Sequence, residues 1–135
     1  MKKLIFLMLA VTSATAGAKE AYVFPPGQNQ VGDVVPSEKL IYVLYTKEKC
    51  GLPVVHASDM RRADISGGGR TNQGCWGKTL SGDPDSVIIV DRYGNVTPSS
   101  TGNMARATIS ASGEATVIEP SASLNEFRKR FPGVR

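Results

Sequence analysis

The residues that could carry chemistry are few. The one histidine, His56, lies in Leu52-Pro53-Val54-Val55-His56-Ala57-Ser58-Asp59, where a hydroxyl and a carboxylate are its near neighbours, the three functions of a hydrolytic relay. In an extended segment adjacent side chains leave on opposite faces, however, and no Gly-x-Ser-x-Gly elbow exposes a serine, so a His56-based hydrolase is the lesser expectation. Asp83 and Asp85, in Gly82-Asp83-Pro84-Asp85-Ser86 ahead of Asp91, could approach a calcium ion. The segment lacks the Asp-x-Asp-x-Asn-Gly order and the terminal glutamate of a calcium loop, and reads as an acidic turn. Gly77-Lys78-Thr79 ends like a phosphate loop, yet Asn72 stands where its first glycine belongs and Leu80-Ser81-Gly82-Asp83-Pro84 cannot open a helix. These readings leave no catalytic residue, metal site or cofactor to expect.

Cys50 and Cys75 are the only two cysteines. Two thiols and one histidine are too few for a structural zinc site, and the spacing is not the Cys-x-x-Cys of a redox pair. In an exported chain the pair is expected as one intramolecular disulfide, stabilising the fold by about 3 kcal/mol on the chain-entropy model.

Export is what the N-terminus predicts. Lys2 and Lys3 precede an apolar run over residues 4–11, followed by Ser13, Ala14, Thr15, Ala16, Gly17 and Ala18, with cleavage expected before Gly17 or Lys19. The apolar run is too short to span a bilayer, no cysteine follows to take a lipid, and the product is expected in the periplasm or secreted. Of 16 basic residues two belong to this leader, which leaves 14 against 12 acidic ones, a net charge of +2. That balance argues against a nucleic-acid surface, which needs a clustered basic patch. With 135 residues, 41% of them hydrophobic and 21% charged, the chain has the composition of one small globular domain.

The elements expected to position these residues are mostly strands. Residues 19–36, with Pro25, Pro26, Gly27, Gly32 and Pro36, read as an extended arm containing a short edge strand over 21–24, and the compact domain is expected from 37 to 135. Residues 40–46 have the β-branched and aromatic content of a buried strand that delivers Cys50 past its end. Residues 60–66 and 71–76 form a hairpin about Gly67-Gly68-Gly69-Arg70, which places Cys75 on the returning strand and Trp76 beside the disulfide as its cover. Further hairpins are expected about Arg92-Tyr93-Gly94-Asn95 and Ala111-Ser112-Gly113. Ser123-Leu124-Asn125-Glu126 is a capping box for a short C-terminal helix that Pro132-Gly133 stops. The fold class is thus mainly β: a small antiparallel sheet, sandwich or partly open barrel with one disulfide and a C-terminal helix.

The segments Cys50-Gly51-Leu52-Pro53, Met60-Arg61-Arg62-Ala63, Gly74-Cys75-Trp76-Gly77 and Val87-Ile88-Ile89-Val90-Asp91, with Gly94-Asn95-Val96, resemble small exported proteins of unknown function from proteobacteria and their prophages. That resemblance implies a paired-cysteine module followed by a hairpin, and no activity. Ile109-Ser110-Ala111-Ser112-Gly113 is similar to a segment of periplasmic lysozyme inhibitors, small barrels whose Ser-Gly loop enters an enzyme's cleft. Here Glu114-Ala115-Thr116 replaces the Arg-Tyr of that family, and the cysteine spacing departs from its wide pair.

The expected function is therefore binding without catalysis, to an envelope protein or polymer. Its candidate surfaces are Trp76 with the hairpin tip at Arg70, or the basic helix at Arg128, Lys129 and Arg130. Inhibition of a lysozyme-like enzyme is one alternative. A structural, self-associating envelope or phage-related component is another, with the proline-rich arm adding a strand to a neighbour.

Overall fold

A computed structural model describes residues 17–134, so the leader expected over residues 1–18 falls almost wholly outside the described residues. The described residues form nine strands and one α-helix. The strands are β1 (Lys19–Phe24), β2 (Val34–Val35), β3 (Tyr42–Lys49), β4 (Arg61–Gly67), β5 (Arg70–Lys78), β6 (Ser86–Val90), β7 (Val96–Ser100), β8 (Ala105–Ile109) and β9 (Ala115–Glu119); the helix α1 is Ala122–Arg130. All nine strands join one open antiparallel sheet in the order β2-β9-β8-β1-β3-β4-β5-β6-β7, with one disulfide and the short terminal helix, so of the architectures expected the single sheet is the one formed.

The expected edge strand in an N-terminal arm is corrected. β1 pairs with β3 on one side and β8 on the other, which places it near the middle of the sheet. Alternation explains why: Ala21 and Val23 are fully buried on one face while Tyr22 and Phe24 pack on the other, so both faces of this strand carry core. A strand already paired on both sides has no free edge to offer a neighbouring molecule, which removes residues 21–24 from the self-association reading.

Two apolar layers result. On the first face Val23, Val43, Ala105, Ala107 and Val117 pack beneath Val35 and Leu40 of the connection between β1 and β3. On the second face Leu44, Ala63, Trp76, Val87 and Ile89 enclose Met104, which the β7–β8 connection carries across from the sheet edge. The Gly68-Gly69 turn between β4 and β5 has φ of 58° and 75°, the left-handed pair that a two-residue hairpin needs, and it sets Arg61 opposite Trp76 and Ala63 opposite Gly74. A side chain at Gly74 would stand 2.7 Å from both the Ile65 side chain and the Val90 carbonyl, so the close strand packing there requires glycine.

The sheet has two edges, the two-residue β2 and the longer β7. Asp91 N–H donates to the Asn95 carbonyl, and alternation from that pair turns Thr97 and Ser99 towards β6 and leaves Val96, Pro98 and Ser100 facing outward. Pro98 therefore sits where its missing N–H costs no ladder bond and removes a donor from the exposed edge.

The helix begins two residues earlier than the capping box implied. Ser121 is the N-cap, its hydroxyl accepting the Leu124 N–H, while the Ser123 hydroxyl donates to Asn103 Oδ1 instead.

Candidate functional site

Cys50 and Cys75 are bonded, with Cα atoms 5.3 Å apart. Trp76 does not cover the bridge. Consecutive strand residues face opposite ways, so Cys75 lies on the first face with Met60 and Val90, packed by Leu52, Val54 and Ile88, whereas Trp76 enters the second-face core. The indole is 4% exposed; its Nε1 donates to the Tyr45 carbonyl at 2.9 Å, immediately after Leu44, where β3 loses its register with β4. Tyr22 meets it edge-on, the ring centroids 6.1 Å apart at 84°. Trp76 and Arg70 are not brought together either: they stand six positions apart along β5, about 20 Å of extended chain.

The remaining chemical candidates scatter over turns. His56 takes a left-handed conformation, φ 60°, at the start of a 3-10 turn over Ala57–Asp59, so the extended segment expected here is not formed. Its Nδ1 stands 3.9 Å from Asp59 Oδ2, beyond hydrogen-bond reach, and both side chains are about four-fifths exposed. Asp83 Oδ1 accepts the Asp85 N–H (2.9 Å), an acidic turn as expected. The Asp91 carboxyl is held below the ordinary carboxylate range, chiefly by the Asn95 side chain, and also accepts the N–H groups of Tyr93 and Asn95. Among the described residues no three His, Cys, Asp or Glu side chains gather as metal ligands. The Ser110–Gly113 turn folds onto itself, with Gly113 N–H donating to the Ser110 carbonyl and the Ser110 and Ser112 hydroxyls 2.8 Å apart.

A groove of about 1120 Å³ lies on the second face, at the end of the sheet where β1 starts, β3 ends, β4 starts and β5 ends. Tyr22 and Trp76 form its floor, Arg106 and Glu20 close the β8 side, and Lys47, Lys49, Arg61 and Lys78 stand along the β3–β5 side. Two of the three carboxylates of this groove have a cation within 4 Å: Glu20 pairs with Arg106, which also binds Glu119 at 2.9 Å, and Glu48 pairs with Lys19 at 3.5 Å, while exposed Asp59 has only the His56 imidazole near it at 3.9 Å. Lys47, Lys49, Arg61 and Lys78 have no such partner among the described residues. The groove's lining thus carries five basic side chains against three carboxylates, an excess of two positive charges, above a half-buried tyrosine.

Sequence reasoning reached Trp76 but not the residues around it. The signal was available in part: a two-residue Gly68-Gly69 turn fixes the β4–β5 register, which puts Arg61, Trp76 and Lys78 on one face. Arg106 and Tyr22, brought in by β8 and β1, had no local signal.

No family model, curated protein or solved structure matches the chain.

Proposed function

We propose that the protein is an exported, non-enzymatic binding module of the cell envelope, and that the second-face groove is its binding surface for an extended anionic polymer of that envelope. The observation that carries the reading is the charge excess in the groove: five basic side chains against three carboxylates, with four of the cations in no ion pair among the described residues. Such a site gains from an anionic ligand and repels a cationic one. The groove is also open and larger than a small-molecule cavity, which suits a chain passing through it more than a compact metabolite. The disulfide fits an oxidising compartment, and no helix among the described residues is long and apolar enough to cross a membrane.

Co-sedimentation of the purified, disulfide-bonded protein with peptidoglycan sacculi, which are insoluble and carry carboxylates, tests the reading. Binding is expected to be saturable, to weaken with added salt, and to fall about tenfold or more in Arg61→Ala/Lys78→Ala. Retention unchanged by that double substitution, or no retention by the native protein, rejects the assignment.

A further inference from the structure

α1 rests against the Thr101–Asn103 turn but buries none of its residues fully. It has nine residues and none of them is buried, whereas a helix this short is marginal in water without a packed face. It is held at its N-terminal end. The Ser121 hydroxyl accepts from Asn29 Nδ2 at 2.7 Å, Asn29 Oδ1 accepts the Ser121 N–H at 2.7 Å, and Ser123 reaches Asn103. Beyond that anchor stand Phe127 and Phe131, 45% and 53% exposed with ring centroids 5.0 Å apart, followed by Val134 at 56%. Arg128, Lys129 and Arg130 lie between the rings in sequence. Lys129 is engaged by Glu126 at 3.0 Å, and neither arginine has a carboxylate within 4 Å among the described residues.

We propose that α1 is a docking element for an anionic lipid bilayer surface, separate from the groove and independent of its assignment. Paired aromatic rings suit the boundary between headgroups and acyl chains, and guanidinium groups beside them suit lipid phosphates. The uncompensated positive charge argues for an anionic surface over a neutral apolar one. A second copy of the chain is a poorer occupant, because a two-fold contact through the Phe pair brings Arg128 and Arg130 against their own equivalents. Two rings and a few charges give reversible adhesion, not anchorage.

The test is sedimentation of the purified, disulfide-bonded protein with vesicles of phosphatidylglycerol and phosphatidylcholine, against vesicles of phosphatidylcholine alone. Binding is expected on the mixed vesicles only. It should fall roughly thirtyfold in Arg128→Gln/Arg130→Gln and about tenfold in Phe127→Ala/Phe131→Ala. Because these side chains are not buried, the variants should keep the native Trp76 fluorescence, and Arg61→Ala/Lys78→Ala should bind vesicles normally. Equal binding to both vesicle types, binding to neither, loss only in the groove variant, or a concentration-dependent dimer abolished by the helix substitutions would each overturn the proposal.

Discussion

Replacing Trp76 by phenylalanine separates a packing role from a ligand-contact role for the single tryptophan. The native indole is 4% exposed, donates to the Tyr45 carbonyl at 2.9 Å and meets Tyr22 edge-on. Phenylalanine keeps a ring in the Leu44, Ala63 and Ile89 cluster but deletes the donor and leaves a small void. An abandoned buried carbonyl costs about 1–3 kcal/mol, and the void adds about 1 kcal/mol. The sum, about 2–4 kcal/mol, corresponds to a fall in Tm of roughly 8–16 °C for a domain of this size. Thermal unfolding followed by circular dichroism reads that fall, while sacculus binding measured well below the transition should change less than about twofold, since the groove cations are untouched. A Tm within about 2 °C of native together with a tenfold loss of binding would refute the reasoning and make Trp76 a ligand platform.

Three other perturbations test separate parts of the structure. Cys50→Ala/Cys75→Ala should lower unfolding stability by about 3 kcal/mol, read as an earlier urea midpoint; a midpoint unchanged would show that the bridge constrains nothing that folding does not already fix. Burial first, and then the Asp64 carboxylate 3.1 Å from its hydroxyl, push the Tyr45 phenol from 10.0 up to about 12. The folded state thus keeps a proton that the unfolded chain releases, so stability is full below pH 10 and declines between pH 10 and 12; Tyr45→Phe should flatten that decline in urea titrations across the range. Pro98→Thr restores an outward N–H on β7 and should produce concentration-dependent association on size exclusion, whereas an unchanged elution volume would mean that proline does not guard this edge.

What was legible in the sequence is what local rules govern. The hairpin about Gly68-Gly69, the strand over residues 40–46 within three residues of β3 at either end, the disulfide and the terminal helix all rest on turn chemistry, alternation or spacing. The errors share one cause, the neglect of long-range pairing. Residues 21–24 look like an edge because proline and glycine follow them, yet the strand's two partners, β3 and β8, lie about 20 and 85 residues away in sequence. Trp76 follows Cys75 in sequence and so looks adjacent to the disulfide, although alternation alone sends the two to opposite faces. Ser123 with Glu126 has the spacing of a capping box, but Asn29, far away in the chain, bonds both the hydroxyl and the N–H of Ser121 and fixes the start there.

The same distinction separates the two cationic surfaces. Bulk composition gives 16 basic residues against 12 acidic ones, and only their placement shows where positive charge collects. In the groove the free cations stand on β3, β4 and β5, adjacent strands joined by a ladder and a disulfide, so their spacing is fixed before a ligand arrives and can select among anionic polymers. On α1 they stand on a helix tied down only at its first turn, where preorganisation is small and adhesion to any sufficiently anionic bilayer is the stronger expectation. A salt titration of the two activities carries that difference: vesicle binding through α1 should decay smoothly with ionic strength and ignore polymer identity. Groove binding should keep a preference among polymers at every salt concentration where it is still measurable, because screening weakens attraction without altering the strand-fixed spacing of Arg61 and Lys78.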